Sequence, residues 1–299
     1  MSPEPSQRVR AVRIEGNPLI RPGMAGLEGR LGENINGPSM IRVPPWMARP
    51  LGKYYLYFAH HGGRFIRLAY ADRPGGPWTV HRPGTLRLDQ TSCRSHVASP
   101  DVHVDHESRR TRMYFHGPVE GRPGQMTFAA ASADGLNFRV CSGPLGPFYF
   151  RVFGHGGWHY ALAKMGNRGA VCLRAKQWTG PFEEGQAILP GARHTAALVR
   201  GDTLWLFYSA GGDCPERILL TRIDLSAGWG SWRPTPPEVV LEPDMPWEGA
   251  ALPLEPSVYG AARGAVRQLR DPAVFVDGPE TYLLYSVAGE QGIAVARLL

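Results

Sequence analysis

The residues best suited to acid–base chemistry are carboxylates and histidines that lie far apart in the chain. Each of them stands shortly before a segment rich in aromatic residues; they are Glu33, Asp101, Asp271, His96, His155 and His194. A carboxyl group can serve as general acid or general base, depending on its surroundings. A histidine can also act as an acid near neutral pH, because its unperturbed pKa is about 6.5. If the fold brings these residues together, they predict an enzyme.

The three histidines also support a second interpretation. Imidazoles from His96, His155 and His194 could hold a divalent metal, with Glu33 or Asp271 completing its coordination. Such a centre would indicate a metal-dependent lyase or isomerase. We expect no cofactor under the carboxylate interpretation, and the metal site stays an alternative.

The elements that would position these residues form a repeat with five copies. Each copy contains one aromatic-rich segment and then a second short apolar run, both too short and too rich in β-branched and aromatic residues for helices. The aromatic segments are Tyr54 to Ala59, Thr111 to His116, Trp158 to Lys164, Leu204 to Ala210 and Tyr282 to Val287. Glycine- and proline-containing turns such as Gly76-Pro77-Trp78 follow these runs and lead to a further strand.

Four strands per copy and about 45 to 60 residues per copy predict an all-β protein, a single five-bladed β-propeller spanning residues 1–299. The fifth copy ends before its last strand, and residues 11–23 resemble the missing piece. We therefore expect the N-terminal strand to join the last blade and close the ring. The predicted blades are about 34–90, 96–146, 147–191, 193–243, and 270–299 together with 11–23.

In a propeller the first strand of each blade lines a central channel, so the residues at those strands should converge on one axial cavity. Asn36 and Arg270 stand at the same predicted strands. Residues 242–269 form an insertion rich in proline and glycine, which we expect to reach over one face and to offer Trp247 and Glu255 to a ligand.

Several short motifs in this order resemble the five-bladed glycosidases of glycoside hydrolase family 43 and its relatives. They are Ser99-Pro100-Asp101-Val102, the Gly-Pro-Trp turn of blade I, His194 ahead of blade IV's aromatic strand, and Arg270-Asp271-Pro272 ahead of blade V's. The resemblance implies an Asp base in blade I, an Asp that tunes pKa in blade II, and a Glu acid in blade III. Asp101 matches the second role, whereas Gly37 and His155 stand where the base and the acid are expected.

This resemblance predicts a glycosidase that acts on a small glycoside or oligosaccharide. Its base would be Asp271 or Glu33, its tuning residue Asp101, and its acid His155 or a glutamate of the insertion. Arg270 would clamp the sugar, since its guanidinium offers fixed bidentate geometry. The other expected substrate contacts are His194, His96, Asn36, Glu255 and Trp247. A carbohydrate-binding propeller without catalysis is a further alternative.

The composition disfavours other classes of protein. There are 33 basic and 26 acidic residues, a formal net charge of +7, but the arginines are spread thinly and form no helical stripe, so we expect no nucleic-acid partner. No apolar run reaches the roughly 18 residues of a membrane span. The N-terminal residues lack a secretory signal, so we expect a cytoplasmic protein. The four scattered cysteines predict free thiols.

Overall fold

The computed structural model describes residues 9–166 and 168–299, and it confirms the five-bladed propeller. Five sheets are arranged in a ring, and in each the strands follow one another from the inside outwards. The strands of blade I are Asn36–Arg42, Tyr54–Ala59, Phe65–Ala71 and Thr79–Arg87. Those of blade II are Ala98–Asp105, Arg110–Pro118, Gln125–Ser132 and the short pair Arg139–Val140 and Gly146–Pro147.

The remaining blades have four strands each. Blade III comprises Arg151–His155, Trp158–Lys164, Gly169–Ala175 and Glu183–Pro190. Blade IV comprises Ala192–Arg200, Thr203–Ala210, Ile218–Asp224 and Glu238–Leu241. Blade V comprises Arg270–Asp277, Glu280–Ser286, Ile293–Leu298 and, from the N-terminus, Ala11–Arg13. Single 3-10 turns lie at Gly29–Leu31, Leu88–Gln90, Trp229–Ser231 and Pro246–Glu248.

The aromatic segments are the second strands, and both of their faces are buried between neighbouring blades. In blade I, Leu56 and Phe58 pack toward blade V, whereas Tyr55 and Tyr57 pack toward blade II. Side chains alternate between the two faces of a strand, so a strand covered on both sides favours apolar residues on both faces. This explains why the five segments are mostly apolar without a strict alternation. One hydrophobic cluster fills each of the five interfaces between blades.

The N-terminal strand closes the ring, as predicted, and the pairing uses only part of the expected segment 11–23. Residues Ala11–Arg13 pair antiparallel with the third strand of blade V. Pairing is then interrupted and returns as a single bridge between Ile20 and Ile293. In the gap the Asn17 side chain replaces the backbone: its Nδ2 donates to the Val295 carbonyl at 2.8 Å, and its Oδ1 accepts from the Val295 N–H at 2.9 Å. Pro18, which has no N–H, could not have continued the ladder.

Replacing Asn17 with Ala should therefore weaken ring closure. Two hydrogen bonds at about 0.5–1.5 kcal/mol each predict a loss of about 1–3 kcal/mol in the free energy of unfolding. Urea unfolding of Asn17→Ala, beside a Glu15→Ala control at an exposed neighbouring position, measures it. Equal stability of the two variants would show that the amide adds nothing to closure.

Two further features concern the chain as a whole. All four cysteines are free. Within the described residues, no helix has the length and apolar character needed to cross a membrane.

Candidate active site

A polar pocket of about 350 Å³ opens at one end of the axial channel, and residues from all five blades line it. The first strands contribute Asn36, Ser99, His194 and Asp271 from their beginnings. The connections between second and third strands contribute His61 and Glu290. In an antiparallel blade, the start of strand one and the turn between strands two and three lie at the same end. The topology therefore brings both sets of residues to one pocket.

Asp271 lies buried in this pocket and is tightly held. Its Oδ1 accepts a hydrogen bond from the Tyr149 hydroxyl at 2.9 Å, and its Oδ2 accepts one from the Ser286 hydroxyl at 3.2 Å. Its backbone is in the left-handed region, with φ of 47°, next to Pro272 and at an irregularity in strand pairing. Such strain persists only where the surroundings impose it, and it is common at functional sites.

Burial raises the pKa of the Asp271 carboxyl, and the negative charge of Glu290 raises it further, while Tyr149 and two arginines oppose the shift. Desolvation and a like charge both favour the protonated form of a carboxyl group. The pocket therefore favours Asp271 as a proton donor.

The His194 ring lies against Asp271 and is neutral. Burial, then the positive charges of Arg193 and Lys164, lower the pKa of His194 well below its ordinary value. Its Nδ1 accepts a long hydrogen bond of 3.4 Å from the Asp271 N–H, and its Nε2 lies 3.3 Å from the Asp271 Oδ1. Because Nδ1 is the acceptor, the neutral ring carries its proton on Nε2. His194 thus orients the Asp271 carboxyl without adding charge.

Glu290 is the second buried carboxylate of the pocket, and hydrogen-bond donors surround it. Its Oε1 accepts from Arg270 at 3.0 Å; its Oε2 accepts from Asn34 and, at 3.2 Å, from Asn36. The His61 ring lies 3.5 Å from Oε2. Burial alone would raise the pKa of Glu290, but His61, Asn34 and Arg270 outweigh burial and lower it to about 2. Glu290 is therefore ionised at any ordinary pH.

A layer of buried ion pairs supports the pocket and fixes the insertion. Glu216 Oε2 lies 3.2 Å from both the Arg193 and the Arg270 guanidinium. Arg193 also donates to the carbonyls of Val258, at 2.6 Å, and Gly260. These bonds hold part of the insertion at the pocket, where Tyr259 and Gly260 join the lining.

One wall of the pocket combines aromatic rings with an amine. The Lys164 Nζ lies 5.2 Å from the Phe148 ring centre and 5.5 Å from that of Tyr259. In the described part of the chain, no carboxylate pairs with this amine and no hydrogen bond engages it. Burial, and then the charge of Arg193, lower its pKa to about 8.

The pocket lining also includes polar, uncharged side chains, and one of them, His116, has its ring centre 5.4 Å from that of Phe148. His96 Nε2 bonds the Gln125 side chain at 2.8 Å, and burial is the main cause that lowers the pKa of His96. His116 is buried, and its Nδ1 has no hydrogen-bond partner among the described residues. Burial, followed by nearby positive groups, lowers the pKa of His116 well below the ordinary value. Neutral imidazoles can both donate and accept hydrogen bonds, which suits the hydroxyls of a sugar.

The structure brings together some of the residues selected from the sequence. Asp271, His194, His96 and Asn36 all line the pocket. Arg270 is buried and absent from the pocket lining, but it contacts two lining residues, Glu290 and Gly260. Four strong contributors, Glu290, Lys164, Tyr149 and Arg193, were not selected from the sequence.

Asp101 lies away from the pocket. It borders a separate cavity of about 90 Å³ deeper in the channel, which Arg151 also lines. Its Oδ2 accepts hydrogen bonds from His103, at 2.9 Å, and from the Val152 N–H, at 2.8 Å. Burial alone would raise the pKa of Asp101, but these contacts and the charge of Arg151 outweigh burial and lower it. It thus joins blades II and III as a stable carboxylate.

His155 lies at the opposite end of the channel from the pocket. It is the last residue of blade III's first strand, not near its beginning, and its Nε2 is 3.8 Å from the exposed Asp202. Consequently His96, His155 and His194 do not converge. Across the described residues, no group of three histidine, cysteine or acidic side chains is placed to hold a metal ion.

The remaining selected residues are also outside the pocket lining. Glu33 and Glu255 are exposed side chains, and Trp247 is half-buried against the core between blades IV and V. The insertion does reach the pocket, but through Tyr259 and Gly260.

Gly37 occupies the blade I position where the family resemblance implies an Asp. A Cβ at this residue would lie 3.1 Å from the Ser99 Cα, and the residue has a φ of 59°. A side chain here would crowd blade II, and glycine adopts the left-handed backbone without strain. Blade I therefore supplies no carboxylate at this position, and the pocket's buried acids, Asp271 and Glu290, come from blade V.

Comparison with known proteins agrees with this divergence from the well-known families. No family model matches the chain. Uncharacterized protein R118 of Acanthamoeba polyphaga mimivirus is 34% identical over an alignment of 323 positions, which covers 96% of this chain and 90% of the viral protein. The chain belongs to the R118 family. That relationship extends over nearly the whole propeller, blade V included.

Solved structures share the fold of the R118 family at low sequence identity. A structure from glycoside hydrolase family 130 has a TM-score of 0.70 at 12% identity, covering 98% of this chain and 95% of that one. That family is described as mannoside phosphorylases and contains hydrolases that target β-1,2 mannosidic linkages in Candida mannan. A family 43 β-xylosidase/α-arabinofuranosidase from a compost microbial metagenome has a TM-score of 0.62 at 13% identity, covering 89% and 91%. A family 43 enzyme from Xanthomonas citri, complexed with xylose, gives 0.62 at 13%, covering 89% and 88%. The resemblance to five-bladed glycosidases is thus confirmed for the fold.

Proposed function

We propose that this protein is a glycosidase-like enzyme that cleaves a small glycoside or oligosaccharide in the axial pocket. The observation that carries this proposal is a pair of buried carboxyl groups, Asp271 and Glu290, whose pKa values their surroundings move in opposite directions. Such a separation assigns one group to donate a proton and the other to remain ionised. The glycosidase folds found by comparison support the same conclusion.

In the proposed reaction, Asp271 protonates the glycosidic oxygen as the bond to the leaving group breaks. Tyr149, Ser286 and neutral His194 hold the carboxyl group in position. The sugar acquires positive charge in an oxocarbenium-like transition state, and the fixed negative charge of Glu290 stabilises it. A water molecule then forms the new bond to the anomeric carbon, and the proton that it loses restores the acid form of Asp271. With a pKa of about 2, Glu290 is a weak base, so its contribution is electrostatic.

Substrate recognition would combine polar and aromatic residues of the pocket lining. Asn36, His61 and His96 offer hydrogen bonds to sugar hydroxyls. Phe148 and Tyr259 offer aromatic surface. A cavity of about 350 Å³ has room for one or two sugar units.

The test is a panel of aryl glycosides and small oligosaccharides incubated with the full-length protein across a range of pH. We expect at least one substrate to be cleaved, with kcat/KM falling as the pH rises through the pKa of Asp271, because the ionised form cannot donate a proton. Since Glu290 stays ionised down to about pH 2, it contributes no loss of activity in the mildly acidic range. Sugar binding without turnover of any substrate would instead identify a carbohydrate-binding propeller.

A further inference from the structure

When Asp271 carries the proton that it must donate, the cationic side chains beside the pocket outnumber the ionised carboxylates that can balance their charge. Arg151, Arg193, Arg270 and Lys164 lie in or directly under it. Arg193 and Arg270 both contact Glu216, Arg270 also contacts Glu290, and Arg151 lies near Asp101. Burial raises the pKa of Glu216, and the charges of Arg193 and Arg270 offset that rise only in part.

This leaves four cations facing at most three ionised carboxylates besides Asp271. When Asp271 is protonated, as a general acid must be before it acts, at least one positive charge remains without a counterpart among the described residues. Arg193 and Arg270 have carboxylate partners within 3.2 Å, whereas Lys164 has none among the described residues. Arg151 also has no carboxylate within ion-pair distance among the described residues, but it borders the deeper cavity and does not line the pocket. The uncompensated charge that faces the pocket is therefore the Lys164 ammonium.

The neighbouring histidines give a second indication of the same positive field. Among the causes that lower the pKa of His194 are the charges of Arg193, Lys164, Arg270 and Arg151, in addition to burial. Arg151 and Lys164 act on His116 in the same direction. The His194 and His116 rings are therefore neutral. Neither adds a second positive charge that could bind an anionic ligand in place of Lys164.

We propose that the substrate carries an acidic group, a carboxylate or a phosphate ester on the sugar, and that Lys164 binds this group. The Lys164 Nζ faces the cavity from between the Phe148 and Tyr259 rings, with hydrogen-bond donors free for a ligand. This inference rests on the proposed glycosidase function, and it names the substrate class for the same pocket. An anionic sugar would balance the excess positive charge of the enzyme with Asp271 protonated.

Binding measurements test the substrate class separately from turnover. Isothermal titration compares the full-length protein with pairs of sugars: glucose, galactose and xylose-type neutral sugars against the matching uronic acids and hexose 6-phosphates. The two acidic series distinguish a carboxylate from a phosphate ester. We expect one acidic member to bind about tenfold or more tightly than its neutral partner, the usual effect of a hydrogen bond to a charged group.

Three variants assign that preference to the lysine. In Lys164→Met the acidic sugar should lose about tenfold in affinity, while the neutral partner changes by less than about threefold. Lys164→Arg should keep the preference, and Lys176→Met, an exposed lysine on another surface, should leave both affinities unchanged. In the wild type, affinity for the acidic sugar should fall as the pH rises through about 8, where Lys164 loses its proton.

The outcomes separate this inference from the proposed function. Equal binding of neutral and acidic sugars, or equal loss of both in Lys164→Met, would overturn the inference while leaving a glycosidase possible. Inorganic phosphate that binds through Lys164 without any preference among the sugars would also overturn it, because the anion would not belong to the sugar. A clear acidic preference without turnover of acidic glycosides would support the binding site and contradict the enzyme.

Discussion

Asp271→Asn should lose activity by about 10²- to 10⁴-fold in kcat/KM while the protein remains folded, since general acid catalysis contributes about that much. Asparagine retains the shape and can still accept a hydrogen bond from Tyr149, but it has no proton of suitable acidity to donate. The loss should be largest for substrates with poor leaving groups, which depend most on protonation. Activated aryl glycosides should lose less, and a comparison of the two substrate types measures this.

The stability of the same variant provides a check that the loss is chemical. Folding raises the pKa of Asp271, so the folded state binds this proton more tightly than the unfolded state. The contribution of the Asp271 carboxyl to the free energy of unfolding is therefore present at low pH. It is lost as the pH rises through the pKa that this group has in the folded protein. Asparagine cannot ionise, so thermal unfolding of Asp271→Asn at neutral pH should occur at the same temperature as the wild type or higher.

Two other aspartates serve as controls for this prediction. Asp202→Asn changes an exposed carboxylate at the other end of the channel and should leave kcat/KM unchanged. Asp101→Asn tests the tuning role that the family resemblance implied; because Asp101 borders a different cavity, its effect on activity should be far smaller than that of Asp271→Asn. A larger loss from Asp101→Asn than from Asp271→Asn would place the acid elsewhere.

The repeat predicts the fold well, because the physical cause of the pattern is local. A strand covered on both faces is apolar at most positions, and five such strands followed by turns leave few other architectures. The missing fourth strand of blade V likewise required a partner from the N-terminus, and Ala11–Arg13 supplies it. The exact pairing was harder to predict, because the Asn17 side chain replaces part of the backbone ladder.

The site was only partly predictable from the sequence. The placement of His155 was wrong, and a local sequence pattern could have corrected it. Gly156-Gly157 forms a two-residue turn with φ of 56° and 74°, and it joins His155 to Trp158 in a hairpin. Two glycines between two apolar runs are typical of such turns, so His155 had to end a strand. Topology similarly predicts that turns between second and third strands face the pocket, which would have selected His61 and Glu290. The Lys164 and Tyr149 contacts depend on packing between blades, which no local pattern reveals.

Arg270→Met should destabilise the protein strongly, by about 3–5 kcal/mol in the free energy of unfolding, the usual cost of breaking a buried ion pair. Its guanidinium is 3.0 Å from Glu290 and 3.2 Å from Glu216, and all three side chains are buried. Methionine fills similar space but leaves two carboxylates short of a counter-charge. The exposed pair Arg82–Glu28, at 3.1 Å, provides the matched control: Arg82→Met should cost less than about 1 kcal/mol.

A second substitution shows whether charge is the cause of that loss. Glu290→Gln removes one of the two carboxylates, so the double variant Arg270→Met/Glu290→Gln should be more stable than the sum of the single effects predicts. Urea unfolding of the four proteins gives this coupling energy. Additive effects, or an Arg270→Met variant as stable as Arg82→Met, would show that the ion pairs beneath the pocket do not hold it together. The low pKa of Glu290 would then rest on His61 and Asn34, and Arg270 would have no part in dividing the roles of the two carboxyl groups.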